Sequence, residues 1–321
     1  MNEFDIIKHY FTVANHRKDV VMGPGDDCAL LQVPPNTLLA VSTDTLVSGV
    51  HFFADMDPAA LGHKALAVNL SDLAAMGADP CWVSLALTLP EVNEEWIKQF
   101  CAGFFELAEY YNVALVGGDM TRGPLSITVT VHGTLPEGKG LRRSGAQVGD
   151  GIYVTGTLGD AALGLQQELG KIAVPEAHQA IVRNKFEHPH PRILAGQALR
   201  DIASSALDLS DGLAGDLAHI TRASGTRAQI ELEQLPLSAA MQASVSREQG
   251  WELALTGGDD YELCFTVPEL YRGQLEMALA HCGVKFTRIG RMFTGMPEVE
   301  LVLDGRPYQL QSQSWDHFRN D

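Results

Sequence analysis

The chain has 321 residues, of which 45% are hydrophobic and 20% are charged. This composition is typical of a folded globular protein and excludes a disordered or collagen-like chain. Acidic residues outnumber basic residues 40 to 23, and the net charge of −17 has the wrong sign for a nucleic-acid-binding surface. A phosphorylated ligand would therefore need divalent metal ions for much of its charge compensation.

Export and membrane insertion are not expected from this sequence. The first residues lack a basic region followed by an apolar one, and no apolar run approaches the ~18 residues of a membrane span. Five cysteines occur without a CxxC pair, which excludes a disulfide framework and a thiolate zinc site and favours a reducing, cytoplasmic environment.

The first half alternates short strands with longer helices. The strand-like runs are rich in branched residues and are bounded by Gly, Pro or Asp, at 38–41, 83–89, 113–116 and 127–131. Helices are predicted over 59–76 and 94–110, the second with an apolar stripe at three-to-four spacing. The sequence from 136 to 151 is rich in Gly, Arg and Ser and has no apolar period. It predicts a boundary between domains 1–140 and 150–321.

The second half shows the same mixture of elements. The predicted strands are 152–155, 206–209, 228–232, 262–267 and 299–303. The predicted helices are 160–169, 192–205, 213–224 and 270–282. We interpret the glycine turn at 156–160 as strand-to-helix packing rather than as a phosphate loop.

Two acidic motifs in the first half lie beside predicted strands. Asp26 and Asp27 follow a glycine turn and precede an apolar run, and Ser42, Thr43 and Asp44 follow the first long strand. Hydroxyl and carboxylate oxygens are hard ligands that suit Mg²⁺. The same residue types are also favoured in turns and at helix N-termini. Taken alone, the first motif is equally compatible with a turn, and the second favours a turn or a helix N-cap.

Two further motifs combine a carboxylate with a special backbone or a buried helix. Asn69 and Asp72 share one face of the Ala-rich helix 59–76, with Lys64 nearby. An Asp inside such a helix needs a cation or a salt bridge, and we favour a metal ion over an Asp72–Lys64 pair. The sequence Gly117–Asp119 follows a strand, where glycines allow close backbone approach to a ligand, although a tight turn would also explain them.

The second half supplies a matching set of acidic residues. On a strand, Asp208 and Ser210 would point to the same face, while Asp211 opens the following helix as a ligand or as an N-cap. The segment 256–262 repeats the glycine–carboxylate theme, with a hairpin turn as the alternative. Positive charge is scarce, and Arg143 beside the domain boundary is its most site-like occurrence.

Separated aspartates at strand ends predict a multi-metal site for a polyphosphate. Several Mg²⁺ ions would neutralise charge during in-line phosphoryl transfer. The chain lacks the P-loop motif and the protein-kinase motifs. If the acceptor is itself a phosphate monoester, which is mostly ionised at neutral pH, no side chain has to act as a covalent nucleophile or general base. Open alternatives are a non-catalytic Mg²⁺ or nucleotide-binding protein and a metal-dependent phosphohydrolase.

Taken together, these motifs resemble the thiamine-monophosphate kinase family. They occur in the family's order over nearly the whole chain, at 25–29, 41–47, 51–52, 64–78, 117–119, 143–146, 208–212 and 257–263. The resemblance implies an α/β and α+β two-domain fold. An N-terminal aminoimidazole-ribonucleotide-synthetase-like domain would form a homodimer, and a C-terminal α+β domain would close the active-site cleft. A related enzyme of the same fold, acting on another substrate, is the nearest alternative.

The resemblance also implies an activity and a set of site residues. The activity is ATP-dependent phosphorylation of thiamine monophosphate to thiamine diphosphate by direct transfer, with several Mg²⁺ ions and ATP as co-substrate. The implied metal ligands are Asp27, Ser42, Thr43, Asp44, Asp72, Asp119, Asp208 and Asp211. The implied ATP contacts are Gly118, Asp119, Arg143 and Ser210, and the implied substrate contacts are His51, Asp259 and Trp315. The family commonly has Glu in place of Asp259 and another aromatic residue in place of Trp315.

Overall fold

The computed structural model describes residues 3–12 and 17–310. The chain divides into two compact units. The first comprises Met1–Leu73 and Ala78–Gly138, and the second comprises Ala74–Gly77 and Lys139–Asp321.

The first unit contains a four-stranded sheet and two long helices. Its helices are α1 (Glu3–Ile6), which continues as a π-helical turn over Ile7–Phe11, α2 (Pro58–Ala75) and α3 (Glu94–Tyr110). Its strands are β1 (Val20–Met22), β2 (Leu30–Leu31), β3 (Thr37–Val47), β4 (Asp79–Leu89), β5 (Ala114–Arg122) and β6 (Ser126–Pro136). The sheet order is β3-β6-β4-β5, with only β4 and β5 parallel, and β1 and β2 form a separate hairpin.

The two long helices form as their sequences predict. The carboxamide of Asn93 accepts the N–H groups of Glu95 and Trp96 and so caps the start of α3. The predicted stripe of α3 buries Phe100 and Phe104. Helix α2 is buried over most of its length, as its Ala- and Leu-rich sequence indicates.

The strands of the first unit are longer than predicted, and this moves two motifs. Ser42–Thr45 and Gly117–Asp119 were expected after strands, but the structure places them inside β3 and β5. The length of these strands is set by their pairing with neighbouring strands rather than by the hydrophobicity of their own residues. An unbroken antiparallel ladder joins β3 to β6 from Thr37 to Val47, and cross-strand Thr–Thr pairs extend it into polar sequence.

The second unit is built on a seven-stranded sheet. Its strands are β7 (Gly151–Thr155), β8 (Ser205–Asp208), β9 (Arg227–Glu231), β10 (Leu263–Val267), β11 (Phe286–Phe293), β12 (Val299–Leu303) and β13 (Arg306–Tyr308). Its helices are α4 (Asp160–Glu168), α5 (Glu176–Glu187), α6 (Ile193–Leu199), α7 (Leu213–Ser224), α8 (Ala239–Ser244), α9 (Arg247–Thr256) and α10 (Arg272–His281). The strand order is β13-β12-β9-β11-β7-β10-β8.

Several elements of the second unit differ from their predictions. Helices α5, α8 and α9 and strand β11 were not predicted, and α6 ends at Leu199 rather than at 205. Strand β8 ends at Asp208, so Ser210 does not share a strand face with it. Gly212, rather than Asp211, is the N-cap residue of α7. All of Leu263–Val267 is buried, because β10 lies between β7 and β8 inside the sheet.

The residues Ala74–Gly77, at the end of α2, belong to the second unit. Within that unit the carbonyl of Gly77 accepts from Arg200 Nε at 2.6 Å, and that of Met76 accepts from Leu141 N at 3.1 Å. A Cβ on Gly196 would lie 1.9 Å from the Ala74 carbonyl oxygen, so only glycine fits there. Across residues 3–12 and 17–310, no helix is long and apolar enough to cross a membrane.

Candidate functional site

A cavity of about 580 Å³ in the first unit brings together three predicted site residues. Asp27 reaches it from the loop before β2, and Gly118 and Asp119 reach it from β5. Asp26 also lines the cavity, and its Oδ1 accepts the N–H of Asp27 at 2.9 Å. Apolar walls are provided by Leu85 and by other residues of β4 and of the first helical turn. The cavity is thus lined by carboxylates, glycine backbone and apolar side chains, which suits a nucleotide.

Gly118 is required by the backbone at this cavity. Its φ is +154°, and a Cβ at this position would lie only 1.8 Å from the Leu85 carbonyl oxygen of the neighbouring parallel strand. At Gly117 a Cβ would meet no atom within 4 Å. The two glycines therefore have different roles, and Gly118 fixes the strand position that carries Asp119.

A second group joins β3 to α2. Ser42 Oγ donates to Asp72 Oδ2 at 2.6 Å, and Asn69 Oδ1 accepts the N–H of Asp44 at 3.0 Å. The predicted sharing of one helix face by Asn69 and Asp72 is confirmed by these two contacts. Thr43 points to the opposite face of β3, where its hydroxyl lies 2.9 Å from that of Thr130. The side chains of Ser42 and Asp72 are thus brought together and the backbone of Asp44 is joined to Asn69, whereas the side chain of Thr43 contacts Thr130.

His51 follows β3 by a short turn. Its Nδ1 accepts the N–H of Val47 at 3.0 Å, which fixes Nδ1 as the acceptor nitrogen of the ring. The ring is half-buried. This contact holds the imidazole at the end of the strand that carries Ser42 and Asp44.

In the second unit, two loops that carry predicted residues are joined by backbone hydrogen bonds. The N–H of Asp259 donates to the carbonyl of Ser210 at 2.9 Å, and the N–H of Tyr261 donates to that of Leu209 at 2.8 Å. Asp259 and Tyr261 have φ values of +68° and +47°, which are uncommon for residues with a side chain and occur often at functional sites. The Tyr261 hydroxyl also donates to Asp259 Oδ1 at 3.2 Å.

Buried charge supports the second of these loops. Glu262 is 2% exposed, and its Oε2 accepts from Arg192 Nε at 2.7 Å and from the Thr155 hydroxyl at 2.6 Å. Asp260 Oδ2 accepts the N–H of Gly159 at 2.8 Å. Burial, with the charges of Asp160 and Glu262, raises the pKa of Asp260 well above its ordinary value.

A further buried carboxylate lies beside the first loop. Asp216 is 5% exposed in the first turn of α7, and its Oδ2 accepts the N–H of Asp211 at 3.0 Å. Burial raises the pKa of Asp216 to about 7, and the charge of Asp211 acts in the same direction. Hydrogen bonds from the backbone of Asp211 and Ser210 and the charge of Arg143 oppose this shift of its pKa. The Arg143 guanidinium therefore acts electrostatically on this carboxylate.

The donor set fits Mg²⁺ by its chemistry. Among residues 3–12 and 17–310, no three His, Cys, Asp or Glu side chains are grouped closely enough to hold a metal ion. Mg²⁺ does not require such a cage, because it usually keeps several waters and binds through one or two carboxylates together with substrate phosphates. Asp27 and Asp119 at one cavity offer this kind of partial site.

Sequence reasoning missed three supporting residues and selected one that cannot be described. Asp216, Arg192 and Glu262 were not predicted as site residues. Asp216 left a readable signal, because it occupies a position of the apolar stripe formed by Leu213, Leu217 and Ile220. Trp315 lies outside the described residues.

Known proteins resemble this chain over its full length. Residues 25–135 match the AIR synthase related protein, N-terminal domain, and residues 147–301 match the C-terminal domain. The thiamine-monophosphate kinase of Escherichia coli (strain K12) is 54% identical over 318 residues, and the match covers 98% of both chains. That of Salmonella typhimurium is 55% identical over 320 residues, again covering 98% of both.

Two solved structures have the same fold. The crystal structure of thiamine-monophosphate kinase from Stenotrophomonas maltophilia K279a gives a TM-score of 0.85 at 45% identity and covers 91% of this chain and 93% of that chain. AaThiL complexed with AMPPCP and TMP gives a TM-score of 0.78 at 30% identity and covers 98% of this chain and 96% of that chain.

Proposed function

Because the chain belongs to the AIR synthase related family and, within it, to the thiamine-monophosphate kinases, we propose that it phosphorylates thiamine monophosphate with ATP. The product is thiamine diphosphate. One observation supports placing this activity at a particular site. Asp27, Gly118 and Asp119 come from segments far apart in sequence and line one cavity. The related AaThiL, solved with AMPPCP and TMP, supports this choice of ligands.

The transfer needs no covalent intermediate on the protein. A terminal phosphate oxygen of thiamine monophosphate attacks the γ-phosphorus of ATP, a new oxygen–phosphorus bond forms, and the bond from the γ-phosphorus to the bridging oxygen breaks, releasing ADP. Both reactants are anions, so bound Mg²⁺ would supply charge neutralisation. The protein's contribution is to position the reactants and to provide a fixed electrostatic field.

The proposed roles follow the three groups of residues. Asp27, Ser42, Asp44, Asp72 and Asp119 supply metal-directed oxygens in the first unit, with Thr43 assigned by motif alone. Asp208 and Asp211 supply them in the second. Backbone at Gly118, the guanidinium of Arg143 and the loop residue Ser210 serve ATP. His51, Asp259 and Trp315 serve the thiamine substrate.

We also propose a homodimer in the cytoplasm. The face of β3 that carries Thr43 and Thr45 exposes Leu39 and Val41, which are 46% and 54% accessible. Across the ladder, His132 is paired with Val41, and its Nδ1 is buried without a hydrogen-bond partner among the described residues. A second copy would cover this face. All five cysteines lie within the described residues and are free thiols, in keeping with a reducing compartment.

Release of ADP tests the activity. We expect ADP to form only when ATP, Mg²⁺ and thiamine monophosphate are all present, with thiamine diphosphate as the second product. Dependence on the acceptor excludes a simple phosphohydrolase, which would yield inorganic phosphate without it. Binding of nucleotide with no turnover would identify a sensor or storage protein instead.

The substitution Asp119→Asn tests the metal-directed role of the cavity. We expect kcat to fall by at least about 100-fold, because the amide loses the negative charge that an Mg²⁺ ligand supplies, an electrostatic effect of the size measured for other transition-state contacts. The exposed Asp304, which lies in the turn between β12 and β13, provides the control Asp304→Asn. Equal kcat values for Asp119→Asn and Asp304→Asn would contradict the metal-directed role of Asp119.

A further inference from the structure

We propose that Asp216 is a positioning residue that holds the loop 208–212 in the conformation needed to bind Mg²⁺ and nucleotide. The proposal rests on the function proposed above and adds to it a residue outside the assigned ligand set. Asp216 acts through the backbone of the loop and does not itself touch the substrates.

The contact of Asp216 with the loop is a hydrogen bond to its backbone. Its Oδ2 accepts the N–H of Asp211 at 3.0 Å. Since a peptide N–H fixes the orientation of its own residue, this contact sets the direction in which the side chain of Asp211 leaves the chain.

The opposite side of the same loop is held by the segment 257–261. The carbonyls of Leu209 and Ser210 accept from Tyr261 and Asp259. Gly212 closes the loop with φ of +102°, and a Cβ there would lie 2.8 Å from the Leu255 carbonyl oxygen. The loop is thus fixed at the N–H of Asp211 by Asp216 and at two carbonyls by the segment that carries Asp259.

A purely structural role would not call for a carboxylate at this position. The position lies on the buried stripe of α7, where an apolar side chain would stabilise the fold without a desolvation cost. Within the part of the chain that the structure describes, no Lys or Arg forms an ion pair with Asp216. In the core, the acid therefore has a backbone donor of the loop that it orients as its hydrogen-bond partner.

The test compares Asp216→Ala and Asp216→Leu, which both remove the acceptor oxygen, with the control Leu275→Ala in the full-length protein. Leu275 is fully buried in α10, so its truncation lowers stability without removing a contact of the loop. We expect both Asp216 variants to bind Mg²⁺ with the non-hydrolysable nucleotide AMPPCP at least about tenfold more weakly by calorimetry, a loss of the size seen when a supporting partner of a metal ligand is removed. We expect their kcat to fall further than their KM rises.

The control and the apolar variant decide between positioning and folding. Leu275→Ala should lower the melting temperature and keep AMPPCP affinity and kcat within about twofold of the wild type, since core truncation acts on stability. If Asp216→Ala does not fold, Asp216→Leu, which fills the buried position with an apolar side chain, is the variant that tests the proposal. Wild-type affinity and kcat in a folded Asp216 variant, or an equal loss of affinity in Leu275→Ala, would overturn the proposal.

The calorimetric measurement separates this proposal from the proposed function. Failure of the wild type to release ADP in the presence of thiamine monophosphate would refute the kinase activity. Nucleotide binding by the wild type and the variants would still be measured in that case, and it alone decides the role of Asp216.

Discussion

Several buried acids in the second unit hold backbone or hydroxyl groups. Asp160 accepts the hydroxyls of Thr157 and Ser238, and Asp216 and Asp260 accept backbone N–H groups. Glu262 differs from these three, because its carboxylate pairs with a guanidinium, that of Arg192. A buried acid that accepts N–H or O–H groups keeps these partners when it is protonated. The charged carboxylate of Glu262 depends instead on the cation that neutralises it.

Removal of Arg192 should destabilise the protein strongly. In Arg192→Met the carboxylate of Glu262 stays buried, with Lys185 Nζ 4.0 Å away as a weak substitute, and loss of one partner of a buried pair costs about 3–5 kcal/mol. Arg183 pairs with Glu168 but is 54% exposed, so Arg183→Met should change the free energy of unfolding by at most about 1 kcal/mol. Urea unfolding of both variants measures the difference, and similar values would contradict the burial argument.

The stability of Asp260→Asn relative to the wild type should depend on pH. An unfolded Asp loses its proton at about pH 4, whereas the raised pKa of Asp260 in the folded chain keeps its proton to higher pH. Between these two values the folded state binds more protons, so the free energy of unfolding falls as pH rises. The amide in Asp260→Asn does not titrate. The free energy of unfolding of the variant should therefore rise relative to that of the wild type from about pH 4 upward. A stability difference that stays constant between about pH 4 and pH 8 in urea unfolding would contradict this assignment.

At the scale of elements, strand β5 depends on one of its two adjacent glycines. Gly118→Ala forces a Cβ into the Leu85 carbonyl oxygen, and such overpacking costs roughly 1–3 kcal/mol or more. We also expect weaker AMPPCP binding at the cavity beside it. Gly117→Ala meets no atom within 4 Å and should melt like the wild type. Thermal unfolding and calorimetry provide both measurements, and indistinguishable melting of the two variants would show that the strand adjusts freely.

How far the sequence predicts the elements depends on the kind of signal each one carries. Helices α2, α3 and α7 were located within a residue or two at each end, because apolar periodicity and flanking turn residues define them. Strands β3 and β5 extend beyond their apolar cores, since their ends are set by pairing with strands distant in sequence. Helix α9 has apolar residues without a clear stripe, and its capping box at Ser246 was its readable signal.

The residues of the candidate site also differ in how readily the sequence predicts them. Asp27, Asp72 and Asp119 could be selected because a carboxylate beside glycine or inside an apolar helix has a recognisable cost. The partner of Glu262 could not be selected, because Arg192 is 70 residues away in sequence and the two meet only in the folded second unit. Asp216 lies only five residues from Asp211, and its place on the apolar stripe of α7 was its readable signal.

At the scale of the whole molecule, the exposed apolar face of β3 predicts self-association. We expect sedimentation of the wild type to give twice the chain mass. Val41→Asp should shift it to the monomer, because a charge on this face would be buried without a partner. Val148 is also exposed, at 59%, but lies in a loop of the second unit, so Val148→Asp should leave the mass unchanged. A dimeric Val41→Asp variant would mean that another surface mediates association.

The assignment of Ala74–Gly77 to the second unit has a consequence for synthesis on the ribosome. These four residues emerge long before Arg200 and Leu141, with which they form hydrogen bonds. The nascent chain can therefore form the first sheet before the residues that bond to the end of α2 have been translated. A gene fragment that begins at Lys139 would encode the second sheet without Ala74–Gly77. Cutting the coding sequence at this position would therefore not give a complete second unit.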